Sequence, residues 1–215
     1  MTLLSERAIT IESEGLQLEG ALHEAEAPRL AAVVLHPHPQ YGGDMDNLVV
    51  VEVCGALAAA GATTLRFNFR GTGRSDGKYD GGRGERIDAL SAVATAHERA
   101  PGAPLVLAGY SFGAAVAVAA LPEATADGLV LISPPLAYST PPELPADVDI
   151  VLITGDLDQV APAERVRALE GGRVRAVVAP GVDHSWWSGA EVLRREVTEF
   201  AEAMIALSPR QRSSI

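Results

Sequence analysis

Apolar residues along the chain come in short blocks at two spacings. Near the start, Ala8–Ser13 and Leu16–His23 place Ile9, Ile11, Leu16, Leu18 and Leu22 at partly alternating positions on either side of Glu14-Gly15, which predicts an antiparallel hairpin. Beyond it the pattern changes to strand, loop, helix. The runs Ala31–Leu35, Thr63–Phe67, Leu105–Ala108, Leu129–Ile132, Ile150–Ile153 and Val174–Val178 are mostly rich in Val, Leu and Ile, as strands buried on both faces are. Between them lie segments with helical start and stop signals: Leu48–Ala60 behind an Asn47 cap and before Gly61, Arg83–Arg99, Phe112–Leu121 ending before Pro122, Pro162–Leu169 ending at Gly171, and Ala190–Ala206. Leu48–Val53 has the composition of a strand as much as of a helix. Parallel strands on either side of it need a crossover, and a helix supplies one. The expected fold is α/β: a mostly parallel sheet with an N-terminal antiparallel hairpin and helices on both faces. In such a sheet the chemistry belongs to the loops at the C-terminal ends of the strands.

Composition sharpens this picture by exclusion. The chain has 215 residues, 47% of them hydrophobic and 21% charged, enough apolar material for one continuous folded domain over residues 1–215. A formal charge of −11 argues against a partner with a phosphate backbone, so no nucleic-acid role is expected. No apolar run approaches the roughly 20 residues of a membrane helix, and the start of the chain lacks the basic and long apolar regions of a secretory signal. No membrane partner and a cytoplasmic location are therefore expected. Cys54 is the only cysteine; it rules out an internal disulfide and, among Val51, Val53 and Leu57, reads as a core residue. Ser133–Pro145 is the one Pro-rich, linker-like stretch.

The densest chemical signal is Leu105-Val106-Leu107-Ala108-Gly109-Tyr110-Ser111-Phe112-Gly113-Ala114, a strand entering Gly-x-Ser-x-Gly and then a small-residue helix. This is the context of a nucleophile elbow, where a serine sits on a tight, strained turn and glycines allow strand and helix to pack closely. A serine hydroxyl needs a general base and a group that orients the base. Both follow in order. Thr154-Gly155-Asp156-Leu157-Asp158-Gln159-Val160-Ala161-Pro162 succeeds one strand, and Ala179-Pro180-Gly181-Val182-Asp183-His184-Ser185 the next. His184 is the candidate base. For the orienting acid Asp158 is preferred over Asp156 because it stands farther beyond the strand end; Asp156 suits a hydrogen bond to its own loop, and Asp183 reads as a surface carboxylate.

An oxyanion needs aimed donors, and the first candidate is the backbone N–H of Phe112. The second is sought in His36-Pro37-His38-Pro39-Gln40-Tyr41-Gly42-Gly43-Asp44-Met45-Asp46-Asn47, where the prolines lack N–H groups and His38 is the first free donor, with Gln40 and Tyr41 as fallbacks. His36, His38, Asp44 and Asp46 invite a metal reading, but no second histidine-rich cluster completes such a site, and no metal or cofactor is expected. Arg70-Gly71-Thr72-Gly73-Arg74-Ser75-Asp76-Gly77 fails as a nucleotide loop, since Asp76 stands where the third glycine is required, and reads as a structural turn. Tyr41, Tyr110, Leu136, Tyr138, Trp186 and Trp187 are pocket candidates, with one tryptophan of the pair assigned to the core; His23 and His97 read as surface residues.

Taken together, the elbow Gly-Tyr-Ser-Phe-Gly, the acid loop Gly-Asp-Leu-Asp-Gln-Val-Ala-Pro and the His184 loop resemble the α/β-hydrolase superfamily over nearly the whole chain. Residues 36–47 and Leu65-Arg66-Phe67-Asn68-Phe69-Arg70-Gly71-Thr72-Gly73-Arg74-Ser75 look like those of small bacterial serine hydrolases, the dienelactone-hydrolase-like and carboxylesterase-type group. Dienelactone hydrolases themselves carry cysteine where this chain has serine. The resemblance implies Ser111 as nucleophile, Asp158 as acid, His184 as base, and the 37–38 loop with Phe112 as oxyanion hole. Ser133–Asp149 is too short for a cap or lid domain, so an open site and small, water-soluble acyl esters or thioesters are expected. The same machinery serves thioesterases, acyltransferases and peptidases, and a non-catalytic binding protein with a vestigial site is the alternative of another class.

Overall fold

The two-residue turn Glu14-Gly15, at φ 50° and 82°, closes a hairpin of β1 (Arg7–Ser13) and β2 (Leu16–His23) in which Ser13 faces Leu16. Positive φ at both central residues gives the turn the twist that joins antiparallel strands. The computed structural model describes residues 5–207; residues 1–4, at the start of the segment read above as lacking a secretory signal, lie outside it, as do residues 208–215. The parallel strands follow as β3 (Leu30–Leu35), β4 (Ala62–Phe67), β5 (Leu105–Tyr110), β6 (Gly128–Ile132), β7 (Asp149–Gly155) and β8 (Val174–Ala179). Sheet order is β1-β2-β4-β3-β5-β6-β7-β8, with β1 and β2 antiparallel and β2 and β4 antiparallel, the remaining pairs parallel.

Every residue of β3, β5 and β6 is buried, which explains why these strands are apolar at successive positions. Their alternate side chains go to opposite layers. Ala31, Val33, Leu35, Leu105, Leu107, Leu129 and Leu131 face α2 (Arg83–Arg99) and α3 (Phe112–Ala124), whose contact faces are mostly alanine and allow close approach. Leu30, Ala32, Val34, Val106, Ala108, Val130 and Ile132 face α1 (Leu48–Ala59) and α5 (Ala190–Ala206), which contribute Val50, Val53, Leu57, Val197 and Phe200. Each large aliphatic side chain buried this way contributes roughly 1.5–3 kcal/mol. Cys54 lies in the second layer, where burial pushes its thiol far up. The Arg70–Gly77 turn is tied to the hairpin: Arg74 pairs with Glu19, and Asp76 accepts the N–H of Gln17.

Three helices differ from the expectation, α1 only in that Ala60 is its C-cap rather than its last residue. α3 continues past Pro122 to Ala124, because proline tolerates helical φ and the hydrogen bond it forfeits falls in the last turn, beside exposed Pro122 and Glu123. α4 covers only Ala163–Arg167 rather than 162–169; it buries one side chain, Val166, and Leu169 and Glu170 reach back three residues instead of four. Leu48–Ala59 is helical, with the Asn47 side chain accepting the N–H of Val49. Among the described residues no helix is long and apolar enough to cross a membrane.

The sheet order positions the site. From β3 the chain steps through α1 to β4 on one side, then returns through α2 to β5 on the other, so the loops leaving β3 and β5 diverge at the same sheet end. A crevice opens at such a switch point. The loops after β6, β7 and β8 line up beside it in sheet order.

Candidate active site

Ser111 follows β5 directly and precedes α3. Its φ of 54° and ψ of −114° lie outside the ordinary range for a residue with a side chain, and its N–H is held by the Ile132 carbonyl at 2.8 Å. The turn is this tight only because of its glycines: a side chain at Gly109 would collide with the Gly113 backbone, and one at Gly113 with the carbonyls of Leu35 and His36. The hydroxyl is thereby presented at the sheet end, half-buried, rather than turned into the helix.

Ser111 Oγ lies 3.0 Å from Nε2 of His184, on the loop after β8. The other ring nitrogen, Nδ1, is 2.9 Å from Oδ2 and 3.1 Å from Oδ1 of Asp158, on the loop after β7. A carboxylate only accepts, so Nδ1 carries the hydrogen and Nε2 is left to accept from the serine hydroxyl. Asp158 Oδ1 also accepts the N–H groups of Val160 and Ala161 at 2.8 and 2.9 Å, and its side chain is fully buried. Burial acts to raise the Asp158 pKa; His184, the Ser133 hydroxyl and the Ala161 N–H outweigh burial and hold it below the usual carboxylate value.

The two loops are laced together. Asp156 accepts the N–H of Gly181 at 2.7 Å, and Leu157 donates to the Val182 carbonyl at 3.0 Å. Asp156 thus binds the neighbouring loop rather than its own, and Asp183 is exposed, accepting from Ser185. Gly155 is forced, since a side chain there would overlap the Val182 carbonyl. Tyr110, buried beneath, donates its hydroxyl to the His184 carbonyl at 2.5 Å, and burial followed by the nearby Asp158 charge pushes its phenol far up.

On the other side of Ser111 runs the loop after β3. His36 is fully buried, its Nε2 accepting the Phe69 N–H at 3.0 Å and its Nδ1 donating to the Pro37 carbonyl at 2.7 Å. Burial lowers its pKa to about 4, so the ring is neutral near pH 7. The Pro37 carbonyl and the His38 N–H belong to one planar peptide and point in opposite directions, so fixing the first aims the second. The His38 ring accepts from the Gln40 N–H through Nδ1 and donates to the Tyr79 hydroxyl through Nε2, at 3.2 and 3.1 Å. Both ring nitrogens of each histidine are therefore engaged within the protein. Asp44 accepts from the Asp46 N–H and Asp46 pairs with Arg66. Among the described residues no protein acceptor takes the backbone N–H of His38 or of Phe112, and their rings lie 4.9 Å apart.

The pocket candidates divide by burial. Tyr110, Leu136 and Trp186 are at most 5% exposed and belong to the core; their large apolar surfaces fill the layers under the site instead of lining an opening. Tyr41, Tyr138 and Trp187 stand 80% or more exposed, and with Leu48 and Leu157 they all lie on segments that follow C-terminal ends of parallel strands. Of the tryptophan pair, Trp186 is the core member, its indole N–H donating to Ser133 Oγ at 2.9 Å. Two surface concavities, of about 320 and 390 Å³, lie elsewhere, at the hairpin and beside Leu144 and Leu169. Sequence reasoning missed Ser133 and Tyr79; each directly follows or flanks a recognised segment, but no local motif marks either one.

This fold and end-of-sheet arrangement define an α/β-hydrolase without a lid. The family described as serine aminopeptidase, S33, matches residues 42–168, and the chain belongs to it. That match includes Ser111 and Asp158 and stops short of His184. The protein RP471 of Rickettsia prowazekii is 33% identical over 198 residues, which cover 87% of this chain and 82% of that one. XC6422 from Xanthomonas campestris, described as an α/β serine hydrolase without lid, superimposes with a TM-score of 0.84 at 28% identity, covering 95% of this chain and 97% of the other. An α/β serine hydrolase homologue from Coxiella burnetii gives 0.82 at 28% identity, covering 93% and 99%. Est1E from Butyrivibrio proteoclasticus, with ferulic acid bound, shares the fold at 21% identity and a TM-score of 0.79, covering 93% and 100%.

Proposed function

We propose that the protein is a carboxylesterase that cleaves small acyl esters through Ser111, His184 and Asp158. The observation that carries this reading is the 3.0 Å approach of Ser111 Oγ to His184 Nε2, made from a strained elbow toward a ring already held by Asp158. His184 takes the Ser111 proton as Oγ attacks the ester carbonyl carbon; the N–H groups of Phe112 and His38 receive the negative charge that forms on the carbonyl oxygen. The imidazolium then gives its proton to the departing alcohol, leaving Ser111 acylated. Water, deprotonated by His184, attacks the acyl carbon, and the same proton returns to Oγ as the acid leaves. General acid–base action of this kind supplies roughly 10²–10⁴ in rate, and each oxyanion donor about 10²–10³.

The short 133–148 connection leaves the site open, and exposed Tyr41, Tyr138 and Trp187 provide apolar contact for the ester on both sides of Ser111. Since the family description is that of an aminopeptidase, amide cleavage by the same residues is the second reading. Hydrolysis of a p-nitrophenyl ester series from acetate to palmitate, run beside an aminoacyl p-nitroanilide, separates the two. We expect ester turnover strongest at short chains and labelling of Ser111 by a fluorophosphonate. In Ser111→Ala, labelling should vanish and kcat fall by about 10⁶ with the circular dichroism unchanged. Faster anilide than ester turnover would replace the esterase reading, and a folded protein that neither labels nor turns over would end both.

A further inference from the structure

We infer that Tyr110, the residue before the nucleophile, is a positioning residue for the base: its hydroxyl and ring hold the His184 segment where Nε2 meets Ser111 Oγ. This deepens the triad reading above and rests on it.

The anchor is a direct bond. Tyr110 ends β5, and with Val106 and Ala108 it belongs to the layer that also holds Val182 and Trp186 of the loop after β8. There the phenol donates to the His184 carbonyl at 2.5 Å, across 74 positions of chain. The two rings also pair, with centroids 5.6 Å apart and planes tilted by 37°. Tyr110 therefore meets His184 at two points, its backbone and its imidazole.

Nothing else in the base loop does this work. Before the histidine, Gly181 and Val182 are tied to Asp156 and Leu157; after it, the Trp186 indole is tied to Ser133. Between those ties the backbone N–H groups of Ser185 and Trp186 both donate to Asp183, which joins the loop only to itself. Among the described residues, the Tyr110 hydroxyl is the one hydrogen-bond partner of the His184 backbone. Without it the segment that carries the imidazole would be held from its two ends alone.

Adjacency in the chain gives the bond its consequence. One planar peptide joins Tyr110 to Ser111, and the Ser111 N–H is fixed to the Ile132 carbonyl at 2.8 Å. The nucleophile and the anchor of its base are thus parts of one rigid strand end. The 3.0 Å approach of Ser111 Oγ to His184 Nε2 is set from that single point rather than by two loops that drift independently. Protons cross this gap in both halves of a turnover, and a misplacement of about 1 Å in such a geometry can cost about 10²-fold in rate. Burial keeps the phenol neutral, so the donor persists at any pH where His184 can act as a base.

Tyr110→Phe removes the hydroxyl and keeps the ring. We expect kcat for p-nitrophenyl acetate to fall about tenfold to a hundredfold with KM unchanged. The rate of Ser111 labelling by a fluorophosphonate should fall by the same factor, since it too needs the Ser111–His184 approach. Tyr110→Leu, which also removes the ring contact, should lose more. Rates are compared well below each variant's melting temperature, where a loss of stability alone leaves them at wild-type values. In the wild-type protein, NMR should show the Tyr110 hydroxyl proton exchanging slowly with water and close to the His184 segment. Wild-type rates in Tyr110→Phe, whatever its melting temperature, would overturn the inference, as would fast exchange of that proton. If the wild type labels but hydrolyses no ester, the esterase reading fails and the labelling rates still decide this one. If it does not label, the triad reading fails and takes this one with it, whereas unchanged rates in Tyr110→Phe sink this one alone.

Discussion

The two flanks of Ser111 are built from different materials. On the acid–base flank, after β6, β7 and β8, geometry depends on a few hydrogen bonds to one buried charge: His184 Nδ1 and the N–H groups of Val160 and Ala161 converge on Asp158. On the flank we propose for the oxyanion, after β3, the groups are neutral: His36 bridges the Phe69 N–H and the Pro37 carbonyl, and the rings of His38, Tyr41, Tyr79 and Phe112 pack at 4.9–5.8 Å. A charge in a low-dielectric site is strongly coupled to every partner it has, whereas neutral contacts share the load. The acid–base flank should therefore fail in catalysis when a single group is changed, and the oxyanion flank in stability.

The sharpest way to break this contrast is at the two aspartates. Asp158→Asn is expected to lower kcat by about 10⁴, because the amide no longer holds the required imidazole tautomer, while the fold persists. Asp156→Asn, which only loosens the bond to Gly181, should cost a few-fold at most. Steady-state hydrolysis by the two variants side by side is the check, and equal losses would dissolve the distinction between the two carboxylates.

On the oxyanion flank the expected loss appears in a denaturation curve. His36 is driven down from about 6.5 to about 4 by burial, so between those values the unfolded chain binds a proton that the folded chain refuses. Stability should then fall on acidification from pH 6.5 to pH 4 by roughly 3 kcal/mol from this ring alone, and no further from it below that range. Asp158 works in a lower window: its depressed pKa gives stability that is present above its unfolded value near 4 and lost as pH falls through the folded value. Urea titrations across pH measure both, and His36→Gln should flatten the slope between pH 6.5 and 4. A slope unaffected by that substitution would remove His36 as its source.

The smallest effect is expected at the rim. Tyr41→Ala and Trp187→Ala take away exposed surface and no hydrogen bond to the triad, so KM should rise about two- to fivefold for aromatic or longer acyl esters, with kcat nearly constant. A large kcat loss in either variant would mean that the rim shapes the reacting geometry itself.

Particular residues show how far the chain could be read in one dimension. Gly109, Ser111 and Gly113 are legible because the elbow is local: its glycines are demanded by atoms a few residues away and by the strand beside them. Strands β3, β5 and β6 are legible because burial on both faces leaves no polar alternation. Asp156 and Asp158 differ little in one dimension, since what separates them is which carboxylate meets a histidine 26 residues later in the chain. Trp186 and Trp187 are chemically identical and adjacent, yet a positive φ at the first sends one into the core and leaves the other in solvent. Pro122 misled because the loss of one hydrogen bond is tolerated in a last turn.

By itself the sequence determined the class of fold, the order serine, acid, histidine, and the turn that holds the serine, all of which rest on near-neighbour sterics and the spacing of apolar residues. Tertiary structure alone decided which aspartate faces His184, how His36 aims the Pro37–His38 peptide, and that Ser133 and Trp186, 53 residues apart, share a hydrogen bond. The physical reason is common to all three. Each depends on which strand ends the sheet order brings side by side, so that loops distant in the chain meet.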